Sequence, residues 1–505
     1  MALPVLGVGV IYTPALEPLL AAEADLISVV EVEPETLWTS TADPAEPYRP
    51  DRSALDRLRA LPQPKLVHGV GFPIGGSRPP DPLHLPLFVE MIESLGAPWA
   101  SEHLAFNRAA GPDGPFATGF LLPPLQTPAG VAAAVASIHT VAPHLPVPFA
   151  VETGVNYLQP RAGEMSDGAF VAAVAEAADC GIVLDLHNLW ANEQNGRQRV
   201  EAVLAELPLP RIWEVHLAGG SEFQGYWLDA HSGAVPGPLV ALTRRILPQL
   251  PALKAVIFEI TATFLTRFGL DGVRRQISEL REVWEPAPAD LYHRDAPLLA
   301  SPLTQPPPSQ GGGTPARDAR AGVVAPMDLT PEAWEDGLAA LVVGRPSSVP
   351  VPDRLAGDPG VDVLRRLVWN FRSGVLVETL GLTCRLLLLH GGDPLTRDLF
   401  DGFFHSAPPQ LFASVEAEAF GAYLQKRRPD VPYLDEVLGF DLAALRAVLE
   451  GRPQLVPFRF DPASLLEPLA RGRLPVAPIP GRFEVEVTPE VGAGHTAVTG
   501  LLSSS

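Results

Sequence analysis

Only two cysteines, Cys180 and Cys384, occur in the 505 residues, and they lie far apart. That spacing excludes a disulfide scaffold and any zinc or iron–sulfur cluster held by several thiolates. Basic residues are also scarce: 37 Lys+Arg stand against 58 Asp+Glu, a formal charge of −21. A field of that sign repels phosphate backbones, so no nucleic-acid partner is expected. No apolar run approaches the ~18 residues of a membrane span. The stretch 386–389 is short and sits between Arg385 and His390. The N-terminus lacks a basic leader and a cleavage signature, which predicts a cytoplasmic protein with no membrane partner.

What the chain does have is apolar content, 47% of residues, enough for a large core. Gly and Pro together number 101, and residues 286–326 hold a long broken run of them, around Pro306-Pro307-Pro308 and Gly311-Gly312-Gly313. Such a segment cannot bury a continuous apolar face and is expected to be a linker. It divides a metal-binding unit over 1–285 from a second domain over 327–505.

The first unit repeats one rhythm. Short β-branched runs at 5–10, 27–32, 65–70, 99–103, 147–151, 181–186, 211–216 and 255–260 alternate with stretches of helical spacing. Eight such strands predict an α/β fold, a (β/α)8 TIM-type barrel. The open doubly wound sheet competes, but no G-x-G-x-x-G follows the first strand.

The residues that close these runs carry the chemistry. They are Glu31 and Glu33, His68, Glu102-His103, Glu152, Asp185 with His187, His216 and Glu259, with Asp229 and His231 shortly after strand seven. In a barrel, these C-terminal strand ends converge on one mouth. Gathering so many carboxylates costs several kcal/mol per unpaired charge, and few basic residues are near, so metal ions are implied. Mixed His and carboxylate donors suit iron, manganese or zinc. The number of donors exceeds one ion's capacity. A single such residue is ordinarily a satisfied polar group; the joint pattern is what points to metal. Glu31 and Glu33 read as barrel-bottom or loop charges, Glu102 as a group orienting His103, and His84, His139 and His144 as surface residues. Cys180 reads as core.

The ordered motifs Gly7-Val8-Gly9, Val67-His68-Gly69-Val70, Ser101-Glu102-His103-Leu104, Val151-Glu152-Thr153-Gly154, Asp185-Leu186-His187-Asn188-Leu189-Trp190-Ala191-Asn192, Glu214-Val215-His216-Leu217-Ala218-Gly219-Gly220, Leu228-Asp229-Ala230-His231 and Phe258-Glu259-Ile260-Thr261 resemble a known family. It is the multinuclear non-heme iron-dependent oxidases of domain-of-unknown-function family 692, which include the methanobactin-forming oxidase. The resemblance covers about residues 5–280. It implies a barrel holding two or three irons, mixed Fe(II) and Fe(III), with dioxygen as co-substrate. The implied ligands are His68, His103, Glu152, Asp185, His187 or Asn188, His216, Asp229, His231 and Glu259, with Asp229, His231 and Glu259 at the catalytic centre. The implied reaction oxidises cysteine residues of a ribosomally made precursor peptide, which would be the partner. The chain departs from the family at Glu33-Pro34-Glu35-Thr36, usually asparagine-rich, and at Asp185-Leu186-His187-Asn188, often Asp-x-Asn-Asn.

In 327–505, Thr330 before Pro331 reads as an N-cap with proline at the first helical position. Apolar periodicity over 364–389, 412–424 and 442–449 predicts a mainly helical domain, and 482–488 alternates like a strand. The stretches Asp393-Pro394-Leu395-Thr396-Arg397, Pro408-Pro409-Gln410-Leu411-Phe412 and Pro432-Tyr433-Leu434 resemble the separate partner proteins of these oxidases. That implies a fused peptide-recognition domain, held near the catalyst by the linker; a helical oligomerisation domain, and so a homo-oligomer, is the competing reading. The alternative for the whole chain is a zinc- or manganese-dependent sugar-isomerase or endonuclease-type barrel, against whose DNA-acting branch the acidic charge already counts.

Overall fold

Eight short parallel strands close on one another: β1 Gly7–Ile11, β2 Val29–Val32, β3 Lys65–Gly69, β4 Ala100–His103, β5 Phe149–Glu152, β6 Gly181–Asp185, β7 Ile212–Ala218 and β8 Ala255–Glu259. β1 pairs with both β2 and β8, which completes the ring. The computed structural model describes residues 2–41, 46–112, 114–285, 329–347, 349–350 and 353–489. The expected linker, 286–326, lies outside the described residues.

The strands form where the β-branched runs stand, within a residue or two. β3, β5, β6 and β8 are buried along their whole length. That follows from the architecture: one face of a barrel strand packs inward and the other lies under a helix. The helices between strands include Arg52–Ala60, His84–Leu95, Pro128–Val141, Asp167–Ala177 and Leu186–Gln194. Three hairpins interrupt the alternation, Trp38–Ser40 with Tyr48–Pro50 after β2, Phe106–Gly111 with Gly114–Leu122 after β4, and Ser221–Phe223 with Tyr226–Leu228 after β7.

The C-terminal part is mainly helical. Thr330 Oγ1 accepts from Ala333 N at 3.3 Å and starts the helix Pro331–Val343. The periodic run expected over 364–389 is broken at Leu380, where Pro359–Thr379 and Gly381–Ser406 meet at 107°. Ala413–Arg427 and Leu434–Glu450 complete the bundle. The expected terminal strand, Pro480–Val487, pairs antiparallel with Gln454–Phe460, a strand the apolar pattern did not announce. No single helix among the described residues is long and apolar enough to cross a membrane.

The helical part sits on the barrel. Trp334 is buried against it and donates from Nε1 to Pro123 O at 3.0 Å, with Arg161 stacked 4.3 Å over its ring. Arg78 pairs with Glu335 at 2.9 Å and with Asp336 at 2.5 Å. Gly119, at φ +70°, lies so close to Pro409 that a Cβ would stand 2.6 Å from that ring.

Candidate metal centre

Glu152, at the end of β5, is the hub of the barrel mouth. Its Oε2 lies 3.1 Å from His68 Nε2 and 2.8 Å from His103 Nε2, and its Oε1 lies 3.3 Å from His216 Nδ1. Adjacent parallel strands bring these residues together, since β4 carries His103 opposite Glu152 in register. The other nitrogens of two histidines are fixed from behind. His68 Nδ1 is 2.8 Å from Ser101 Oγ, and His103 Nδ1 is 3.0 Å from Gly69 O, a carbonyl that can only accept. His103 is thereby held with Nε2 facing the site.

His216 joins this group to a second. Its Nδ1 is 3.4 Å from Glu259 Oε1 and its Nε2 is 3.1 Å from Glu31 Oε2. Glu259 Oε2 in turn lies 3.4 Å from His231 Nε2, which is 3.1 Å from Asp229 Oδ1. His231 adopts φ +46°, a left-handed backbone rare for a side chain of its size.

The structure brings together His68, His103, Glu152, Asp185, His216, Asp229, His231 and Glu259. His187 has a different setting. Its Nδ1 is 3.0 Å from Asp229 Oδ1, and its Nε2 accepts from Trp227 Nε1 at 3.1 Å, so both ring nitrogens are engaged. Asn188 instead points a buried Oδ1 that meets no hydrogen-bond partner, while its Nδ2 donates to Thr153 O.

Two sequence expectations, for Glu31 and His84, are corrected by the geometry. Glu31 is not at the barrel bottom or in a loop; it is fully buried against His216. Glu33 does lie in a loop, the one after β2, and there it lines the mouth cavity with His103 and His231. His84 is no surface residue: it is buried between Trp38 and Tyr48, ring centroids 5.6 and 4.5 Å away, and burial lowers its pKa to about 4. His139 and His144 are exposed as expected, Glu102 Oε1 lies 3.4 Å from His103 Nδ1, and Cys180 is buried. Sequence reasoning missed Glu214, buried beside Glu31 and accepting from Trp99 Nε1 at 2.9 Å. A carboxylate inside the otherwise apolar run of β7 was the available signal.

The electrostatics are those of a site built for cations. Burial raises Glu31 to about 7, aided by the charge of Glu214. Burial also holds Asp185 well above the usual carboxyl range, with Glu152, Glu259 and Asp229 repelling its ionised form. Burial disfavours charge on His103, His216 and His231, yet the surrounding carboxylates outweigh it and hold all three well above the ordinary histidine value. Both oxygens of Glu31, both nitrogens of His216, Glu152 Oε2, Asp185 Oδ2 and Glu259 Oε2 are buried without a well-aligned hydrogen-bond partner. Buried polar atoms are rarely left so. His68, Glu152 and His216 bring ligand atoms within 4.8 Å of one another, as do Glu31, His216 and Glu259. These donors fit a metal centre.

Above them opens a cavity of about 620 Å³. Its floor includes His103, Asp229 and His231; its roof comes from the helical part, with Phe371, Val375, Leu411 and Phe412. Arg372 and Glu416, both buried and 2.6 Å apart, brace that roof.

Sequence comparison agrees with this arrangement. Residues 7–266 match the RiPP precursor modification enzymes MbnB/TglH/ChrH. The chain belongs to that family. Family members are enzymes that modify ribosomally made precursor peptides. Among similar proteins, a UPF0276 protein of Streptomyces avermitilis is 34% identical over 190 residues, 37% of this chain and 39% of that protein. One from Chromobacterium violaceum is 29% identical over 223 residues, 44% and 79% respectively. One from Anaeromyxobacter sp. is 32% identical over 206 residues, 41% and 65%. The match thus spans well under half of the first relative. Endonuclease IV from Thermus thermophilus aligns over 56% of this chain and 100% of its own at 16% identity, TM-score 0.35. A D-psicose 3-epimerase aligns over 55% and 96% at 12% identity, TM-score 0.34. Likenesses that slight add nothing to the topology described above.

Proposed function

We propose that this chain is an iron- and dioxygen-dependent oxidase that modifies cysteine residues of a ribosomally made precursor peptide, with the helical domain forming the peptide-facing roof. The observation that carries this reading is the set of orphaned buried donors around His216 and Glu152, placed directly beneath a cavity roomy enough for a short peptide segment. His68, His103, Glu152, Asp185, His216, Asp229, His231 and Glu259 would hold two or three iron ions, with Asn188 Oδ1 supplying a donor and Glu31 facing the ion side of His216. Bound there, iron supplies a Lewis acid for the substrate thiolate and a redox centre for dioxygen.

The protein's own groups do the rest. Gly69 O orients His103, and Trp227 orients His187, which in turn fixes Asp229. His187 is thus a positioning residue rather than a ligand in this reading. Asp229 and His231, half-buried at the cavity floor, are the groups a substrate meets first. Neither Cys180 nor Cys384 reaches the cavity; both are buried, and burial pushes the Cys180 thiol up to about 12. The reactive sulfur therefore belongs to the substrate.

The test is anaerobic purification with metal quantification, followed by oxygen uptake and mass analysis of a Cys-containing precursor peptide. Tightly held iron and an oxygen-dependent mass change are expected, both lost in a folded H216A variant. Zinc or manganese held without iron, with turnover indifferent to oxygen, would overturn it in favour of an isomerase or hydrolase.

A further inference from the structure

Tyr157 joins the two halves of the molecule. It is buried in the segment after β5, and its hydroxyl accepts from Asp229 N at 3.0 Å. Its main chain is pressed by the start of the helix Pro359–Thr379. A Cβ at Gly360 would stand 2.2 Å from Tyr157 O, so nothing larger than glycine permits this approach. Asp358 reinforces it with two oxygens: Oδ1 accepts from Gly360 N at 2.9 Å, and Oδ2 accepts from Gln159 N at 3.0 Å. Tyr157, Leu158 and Leu228 share one apolar cluster with Trp334 and Val361 of the helical part. Leu228 immediately precedes Asp229.

The segment so held is one that does not hold itself. Two residues beyond Asp229, His231 sits in the left-handed region at φ +46°, a strained conformation that persists only where the surroundings impose it. On its side chain, Asp229 is fixed by His187. On its backbone, Tyr157 is the contact that reaches it from the domain interface.

We propose that docking of the helical domain sets the position of Asp229 through Tyr157, so that the domain tunes the metal centre as well as covering it. Tyr157 is a positioning residue in this scheme. The proposal rests on Asp229 being a metal ligand. Coupling of this kind is reciprocal, so metal binding must also tighten the contact at Gly360.

The experiment uses the full chain and Co(II), whose visible absorption reports coordination without any substrate. Wild type, Y157F and G360A are compared, with S414A as a control. Ser414 meets Ser40 across the same domain boundary at 2.6 Å but does not touch Tyr157. Y157F is expected to melt near wild type, bind Co(II) about tenfold more weakly and show an altered visible band. G360A, if it folds, behaves alike, and S414A binds as wild type. In wild type, Co(II) slows amide exchange over residues 358–364, and Y157F abolishes that protection. A folded Y157F with wild-type affinity, spectrum and exchange overturns the proposal. Failure of wild type itself to bind Co(II) overturns the metal reading beneath it.

Discussion

His216 Nε2 stands 3.1 Å from Glu31 Oε2 across the barrel interior, with both side chains fully shielded from water. β7 and β2 are not neighbours in the sheet, so only barrel closure brings them together. A carboxylate in that setting is costly until a cation answers it.

Metal removal should therefore destabilise the protein. With a metal at 100 times its Kd, binding stabilises the native state by about 2.7 kcal/mol. The melting temperature is expected to fall on chelation and recover on adding Fe(II) anaerobically. In E31Q the gap between the two curves should shrink. An unchanged gap would count against Glu31 as part of the centre.

Metal binding should also release protons. His103, His216 and His231 are held protonated by their carboxylate neighbours, and coordination requires the neutral ring. Affinity is therefore expected to rise with pH through the ordinary histidine range and beyond it. Calorimetry in two buffers of different ionisation enthalpy should give different apparent heats; identical heats would contradict the proton displacement.

The Arg372–Glu416 pair offers a stability test away from the centre. Both side chains are 3% exposed, and the Arg372 guanidinium also lies 4.2 Å from the centroid of the Phe404 ring. E416A strands a buried cation and is expected to cost about 3–5 kcal/mol, whereas R372M/E416L should cost far less. Thermal melting of the single and double variants distinguishes them. Equal losses would show that the ion pair itself carries the stability.

Asp441 gives a pH signature in the helical domain. Burial raises it to about 7, although it accepts from Thr383 N at 2.7 Å. The folded protein thus keeps a proton that the unfolded chain releases near pH 4. Stability from this group is complete below about pH 4, falls as pH rises toward 7, and is level above. D441N keeps an acceptor for Thr383 and should gain up to a few kcal/mol over wild type at about pH 8 but little at about pH 4. Parallel pH profiles would refute this.

Much of this was legible in the sequence because barrel strands announce themselves twice, once by β-branched runs and once by the His or acid that ends each run. His68, His103, Glu152, His216 and Glu259 were found that way. Glu31 was marked at the end of β2 but set aside as a bottom or loop charge, because β2 is buried on both faces and alternation gives no hint of which way a side chain points. His84, at the start of its helix, was misread because its burial depends on Tyr48 in the hairpin strand Tyr48–Pro50, with Phe412 packed behind. The setting of His187 could not be read from its position, since one of its nitrogens meets the indole of Trp227, 40 residues away. The cavity roof was equally hidden, since the seating of Phe371 and Leu411 over the barrel is set by contacts such as Trp334 with Pro123, 211 residues apart.

Asp185 ends β6 and begins the helix Leu186–Gln194 with no residue between. Its Oδ1 accepts from Asn188 N at 2.7 Å, and its Oδ2 is left buried and unpaired. One oxygen is thus committed to the first turn of that helix. A cation reaching this carboxylate would find Oδ2 free, while the hydrogen bond to Oδ1 holds the group in place. The orientation of a donor at the barrel mouth is set by where a helix begins.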